Sequence, residues 1–346
     1  MCGIVFPESA PRLCGRGRTH PRLGFVILAV LCVVGAYAWA GDGTLRKVTL
    51  VTQWKPQAGS AGFYMAKEKG FYEEHGLDLT ILWGGPGRSP IEMLKQGQAD
   101  FITMFLSNAI KERAANGVAL RNIAQLSQQS EQVLVARKSS GIRGPQDLEG
   151  KRVSLWPNFR VRPLALFRKF NVNVHIVPQS ATVNLFLHNG VDVASAMMFD
   201  EYHLLLQAGL DKEDLVVIPF DQYGLGFPED GIYCLDATIK KDPDLCRRFV
   251  QATIKGWLYA FDHFGETLDV TLRYAREAHT GTSRAHQRWM LEQMRDIVKP
   301  PEPGDAIGRL QAADYDQAVR ELKEAKVIES APTLGDFYVP CMEERR

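Results

Sequence analysis

The sequence predicts an α/β protein of two lobes around a ligand cleft. Two observations carry that prediction. Strand-like and helix-like stretches alternate from Lys47 to Gly209, which is the pattern of βαβ units and a mostly parallel sheet. The body that follows the N-terminal segment is about 300 residues, more than one hydrophobic core commonly serves.

The first 40 residues are built differently from the rest. Residues 1–24 are rich in Arg, Pro and Gly, and an unbroken apolar run from Phe25 to Ala38 ends in Ala38-Trp39-Ala40. A charged stretch, a short apolar stretch and an A-x-A site describe an export signal cleaved before Gly41. The predicted location is therefore the periplasm, with an uncleaved membrane anchor as the alternative. Cys32 follows Leu31, a poor context for a lipoprotein signal. Removing the segment's four arginines and one glutamate from 41 basic and 40 acidic residues leaves 37 and 39. A near-neutral body without a basic run argues against a nucleic-acid surface.

The elements then follow in order. KVTLVT is a strand, and SAGFYMAKEKG is a helix from an expected N-cap at Ser60 to a stop at Gly70. LDLTILW, SPIEMLKQG, ADFITMF and SNAIKERAANG continue as strand, helix, strand and helix. A second series runs through EQVLVARK, a turn at Pro145 to Leu148, KRVSLW, RPLALFRKF, VHIVPQ, ATVNLFLHNG, DVASAMM and DEYHLLLQAG. From Asp236 the chain reads as almost entirely helical. Without an internal repeat or low-complexity linker, the second series is expected as an insertion into the first lobe. The expected division is a signal peptide over 1–40, lobe 1 over 44–130, an inserted lobe 2 over 131–233, the helical remainder of lobe 1 over 234–330, and a tail over 331–346.

Open α/β sheets bind ligands at the C-terminal ends of their strands. Trp54 and Gln57 follow the first strand, Asn108 follows ADFITMF, Trp156 and Asn158 follow KRVSLW, and Glu201 follows DVASAMM. Each has a plainer explanation as a core cap, an N-cap or a helix-dipole partner. Their recurrence at four equivalent corners favours one shared cleft. Catalytic and cofactor motifs are missing. GGPGRSP has no Gly-Lys-Ser/Thr to make it a phosphate loop and reads as a turn, and the eight histidines show no metal-ligand spacing. FPEDG reads as a solvated turn, and the aromatic group of Trp257, Tyr259, Phe261 and Phe264 reads as core. Of the six cysteines only Cys234, Cys246 and Cys341 lie in the body. They are expected as buried thiols, with a Cys234–Cys246 bridge as the alternative.

VTQWKPQAGSAGFYMAKEKGFYEEHGLDLTI, GQADF, GPQDLEGKRV, DEYHLLLQAGL, YGLGFPEDGIY and HQRWMLEQM together resemble the NMT1/THI5-like branch of periplasmic solute-binding proteins, over nearly all of residues 46–300. The resemblance implies a type II periplasmic binding protein that works without a cofactor or metal. It would pass a small ligand to the permease of an ABC importer in the inner membrane, or present it to a membrane sensor. It also implies a thiamine pyrimidine precursor of the formylaminopyrimidine or hydroxymethylpyrimidine type. Sulfonate, taurine or nitrate is the alternative cargo, for which Arg160 is the available cation. Tyr64 and Tyr223, within the quoted stretches, complete the expected ligand set of Trp54, Gln57, Asn108, Trp156, Asn158 and Glu201. Some relatives are instead thiamine pyrimidine synthases, which hold pyridoxal phosphate on a lysine and consume a histidine. Here Met104 and Asn108 occupy those positions, and of the expected cysteine-rich iron segment only Cys234 is present. Methionine has no amine to form a Schiff base. The resemblance therefore implies a binding protein rather than an enzyme.

Overall fold

The computed structural model describes residues 44–299 and 307–342; the expected export segment lies outside them. Ten strands form two five-stranded sheets. The first holds β1 (Arg46–Thr52), β2 (Leu77–Trp83), β3 (Phe101–Phe105), β4 (Leu120–Gln125) and β10 (Asp230–Leu235), in the order β2-β1-β3-β10-β4. The second holds β5 (Gln132–Arg137), β6 (Arg152–Leu155), β7 (His175–Pro178), β8 (Val193–Met197) and β9 (Leu215–Pro219), in the order β7-β6-β8-β5-β9.

Each sheet is parallel except for one strand. β1 runs parallel to β2 and β3, and β6 runs parallel to β7 and β8. β10 is antiparallel to β3 and β4, and β5 is antiparallel to β8 and β9. The reversed strands are those by which the chain crosses: β5 opens the second sheet and β10 returns to the first. The expected change of lobe at 233/234 therefore falls inside β10. Strands β3 and β8 are buried along their whole length, as strands covered on both faces must be.

Helices cover the sheets. The α/β series contributes α1 (Ala61–Glu68), α2 (Phe71–Glu74), α3 (Pro90–Lys95), α4 (Leu106–Ala114), α5 (Val161–Lys169), α6 (Asn184–Leu187) and α7 (Glu201–Gln207). The helical remainder contributes α8 (Asp236–Lys241), α9 (Pro243–Asp262), α10 (Phe264–Glu277), α11 (Arg284–Val298), α12 (Ala312–Glu324) and α13 (Leu334–Phe337). Ser60 stands at the start of α1, but its side chain makes no capping bond. Gly70 does take the left-handed conformation, with φ of 71°, that ends a helix cheaply only at glycine.

Two packing arrangements set up the cleft. α9 lies so close to α1 that a methyl at Gly256 would meet the Gly62 carbonyl oxygen at 2.2 Å. α12 rests on both α4 and α5, tying the helical covers of the two sheets together; Arg168 of α5 donates to the Ala325 carbonyl at 2.7 Å. Of the segment expected as a tail, the described residues 331–342 pack against the first sheet. Phe337 and Cys341 are buried, and the Val339 amide donates to the Asn122 carbonyl of β4 at 2.9 Å. Cys234, Cys246 and Cys341 are buried and form no disulfide, the first two lying 3.9 Å apart at sulfur. GGPGRSP closes as a turn, the Gly84 amide donating to Thr52 and Arg88 to Gly85. Among the described residues no helix is long and apolar enough to cross a membrane.

Candidate functional site

The corner after β1 is fixed from three directions. Thr103 Oγ1 accepts from the Gln53 amide at 2.8 Å, Gln287 Oε1 of α11 accepts from the Ala58 amide at 2.6 Å, and Thr52 Oγ1 donates to the Trp54 carbonyl at 3.0 Å. This places Trp54 and Gln57 over the C-terminal end of the first sheet. From the second sheet Trp156 projects off the end of β6, its indole N–H donating to the Ser180 carbonyl at 3.0 Å. Between the sheets lies a cavity walled largely by aromatic rings.

The rings touch edge to face. Trp54 and Trp156 have centroids 6.3 Å apart with planes at 73°, so the two expected stacking faces come from opposite sheets but are not parallel. Phe159 stands against both, at 5.6 Å from Trp54 and 6.0 Å from Trp156, and at 4.7 Å from Phe105. A ring clasped between the tryptophans requires Phe159 or Trp54 to turn. Trp257, expected as pure core, is fully buried and also forms part of the wall.

Glu201 opens α7 and is buried to 3 % exposure. Its Oε2 accepts from the Met197 amide at 3.1 Å. Burial first, and the neighbouring Asp200 second, push its carboxyl well above the usual range. Asp200, at the same corner, accepts from His286 Nε2 of α11 at 2.9 Å. The third carboxyl is Asp230. Its Oδ1 accepts from the Gln53 side chain, while burial, followed by the charge on Glu229, pushes its carboxyl up to about 7.

That corrects the reading of FPEDG as a solvated turn. Glu229 is 2 % exposed and pairs with Arg162, which is 1 % exposed and also donates to the Phe227 carbonyl. Glu229 Oε1 further accepts from Ser130 and from the Glu131 and Gln132 amides. The motif is thus the knot between the two crossing segments, and it delivers Asp230 to the cavity. Pro and Gly beside two acids mimic a surface turn in one dimension. The signal lay in the partner, since an arginine in the apolar stretch RPLALF demands a buried acid.

The other expected residues are placed as follows. Trp54, Gln57, Trp156 and Glu201 line the cavity. Asn108 and Asn158 line a neighbouring cleft beyond Phe159, with Lys111 and Arg160, and the Asn108 side chain donates to the Asn158 carbonyl. Tyr64 is buried away from the cavity, its ring stacked on Tyr274 at 4.2 Å. Tyr223 lies against Phe170, at 5.3 Å, in the core behind the second sheet. Both tyrosines are thus packing residues where ligand contacts were expected. Helical spacing put Tyr64 one turn too far from the corner, and Tyr223 belongs to the return crossing. Met104 also lines the outer cleft and not the cavity. Asp230, Asp200, Phe159 and Phe105 are wall residues that the corner rule did not single out.

Two mixed sheets, each with one reversed strand, and a cavity where their strand ends meet define a two-lobed periplasmic-binding-protein fold. The same fold is found in the periplasmic aliphatic sulphonate binding protein SsuA from Escherichia coli, with a TM-score of 0.63 and 13% identity over 87% of this chain and 94% of that one. The chain belongs to the NMT1/THI5-like family, whose model matches residues 57–266. Among curated relatives, the 4-amino-5-hydroxymethyl-2-methylpyrimidine phosphate synthase THI11 of Saccharomyces cerevisiae is 23% identical over 62% of this chain, which spans 66% of that protein's length. The formylaminopyrimidine-binding protein of Halalkalibacterium halodurans is 22% identical over 86% of this chain and 91% of its own.

Proposed function

We propose that the protein is an exported solute-binding protein that captures a small planar nitrogen heterocycle for an ABC importer, the ligand being a pyrimidine of the thiamine-precursor type. One observation carries this reading: a cavity walled by Trp54, Trp156, Phe159 and Trp257 holds the buried carboxyl of Glu201 and the half-buried carboxyl of Asp230. Flat ring faces suit a flat ligand, and carboxyls at its edge suit amino groups and ring nitrogens. The formylaminopyrimidine-binding relative, matched along most of both chains, points to the same ligand class.

The synthase alternative is disfavoured by chemistry. Pyridoxal phosphate chemistry starts from an amine, and neither Met104 nor any described residue lining the cavity supplies one. A sulfonate or nitrate cargo fits less well too, because an anion needs cationic or N–H donors where this wall offers carboxyls. Arg160, the cation weighed for that cargo, lines the outer cleft.

Mass spectrometry of the small molecule that co-purifies with the native protein tests the proposal, followed by thermal shifts with a panel of pyrimidines, sulfonates and nitrate. An aminopyrimidine that raises the melting temperature where sulfonates do not is the expected result. A sulfonate-specific shift, or turnover of pyridoxal phosphate to a pyrimidine, overturns it.

A further inference from the structure

Among the described residues that line the cavity there is no lysine, arginine or histidine, yet three carboxyls do line it. Their neighbours differ. Asp200 is matched by His286, with His203 behind it at 2.8 Å. Glu201 faces Asp200 and takes the Met197 amide. Asp230 has Glu229 as its chain neighbour, and the nearby Arg162 is already engaged by Glu229, Ser130 and the Phe227 carbonyl. Tyr233, the other titratable group of β10 near it, stays protonated because burial pushes its hydroxyl up. Gln53 satisfies Oδ1 of Asp230, while Oδ2 takes no hydrogen bond from any described residue.

Three negative or potentially negative groups therefore face a space otherwise lined by aromatic rings and neutral side chains, with Asp200 alone given a basic partner. Aromatic faces carry partial negative charge and attract cations. An uncharged guest leaves Asp230 either protonated or ionised without a partner, and a buried unpaired charge is costly. A positively charged guest gives that carboxylate its partner.

We propose that the ligand is a planar ring carrying positive charge, held against the aromatic wall with Asp230 as its counter-ion and Glu201 as the second carboxyl. This deepens the heterocycle reading and rests on it. The proton balance follows. A permanent cation displaces one proton from the carboxyl pair, since one positive charge balances one carboxylate, and that proton passes to the buffer. A neutral base can instead take that proton and bind as its conjugate acid.

The test is calorimetric titration of the whole protein with two isosteric rings, 4-amino-1-methylpyridinium and 4-methylaniline, which differ in charge alone at neutral pH. Neutral 4-amino-2-methylpyrimidine is a third, separate arm. The cation is expected to bind about tenfold or more tightly than its uncharged isostere, and Asp230→Asn to shrink that preference to about threefold or less. At about pH 6.5 the wild-type binding enthalpy of the cation should vary with buffer ionisation enthalpy, reporting proton release; this holds even if the variant fails to fold. Equal or reversed affinities, or cation binding without proton release, overturn the charged-ring proposal. If the pyrimidine still binds in that case, the heterocycle reading survives. If the cation is preferred and the pyrimidine is ignored, the charge assignment stands and the pyrimidine reading falls. Binding of none of the three rings sinks both.

Discussion

Trp54 is held at the mouth of the cleft by backbone bonds on both sides and is only partly buried, its ring meeting Trp156 and Phe159 by edges. Its removal therefore opens a wall and leaves the deep core intact. Trp54→Ala should cost ~1 to 3 kcal/mol of ligand affinity, the scale of ring stacking on an aromatic side chain. Trp257→Ala, which empties a fully buried site, should cost ~3 to 5 kcal/mol of stability. Denaturant unfolding and ligand titration of both variants separate these effects, and a Trp54→Ala protein as unstable as Trp257→Ala would make Trp54 a packing residue. Asp230 gives a pH signature. Its carboxyl is pushed from 3.8 up to about 7, so the folded protein binds a proton that the unfolded chain has released across that window. The contribution of Asp230 is thus fully present below about pH 4 and is lost as pH rises to about 7, at up to ~1.4 kcal/mol per unit. Unfolding free energies of the unliganded protein between pH 5 and 7.5 should fall less steeply in Asp230→Asn than in the wild type, on the order of 1 kcal/mol or more across the range. Identical slopes would mean that Asp230 is ionised and solvated.

The helices α1 and α9 show how the packing of one element on another shapes the site. A Cβ at Gly62 would lie 2.2 Å from the Trp257 ring, and one at Gly256 2.2 Å from the Gly62 carbonyl oxygen, so the two backbones touch and Trp257 is wedged toward the cavity. Gly256→Ala should cost ~1 to 3 kcal/mol of stability by overpacking and should weaken ligand binding as well, because the pair can separate only by moving Trp257. An unchanged melting temperature and affinity would show that α9 can shift freely. Neither glycine announces this in the sequence, where each sits in a good helical pattern. The strongly periodic stretches were legible: β1, α1, β2, β3, β6, β8 and the long helices α9 to α12 all arise from segments whose apolar spacing suits one structure. The strands that escaped were β4, β9 and β10. LRNIAQ carries Asn122 and Gln125 in its buried positions, and DGIYCL begins with turn chemistry, so local pattern lost to the sheet's demand for a strand there. The corner rule found Trp54, Gln57, Trp156 and Glu201 because parallel strands all end on one side. It could not find Asp230, which reaches the same side from the start of a reversed strand.

At the scale of the whole molecule, the two sheets are connected by crossing segments knotted at Glu229 and Arg162, and they also meet across the cleft through side chains from opposite covers. Asp200 and His203, beside and within α7, join His286 of α11, and Trp289 of α11 donates to the Met198 carbonyl at 3.3 Å. On the other flank the Asn108 side chain donates to the Asn158 carbonyl. The His203 and His286 rings lie nearly parallel, their planes 4° apart, with their Nδ1 atoms 2.8 Å apart. Opening the lobes must break these contacts while leaving the crossing knot in place, which is the signature of a hinge with a latch. Ligand that binds only the closed form should stabilise the fold by RT ln(1 + [L]/Kd), ~2.7 kcal/mol at a hundredfold excess. His286→Ala removes the centre of the latch. Without ligand its radius of gyration in solution scattering should exceed that of the wild type, and with saturating ligand the two should converge. The variant should also bind ligand more weakly, since part of the binding energy must then close an open molecule. Identical scattering curves for wild type and variant in the unliganded state would show that the histidine pair does not hold the lobes together.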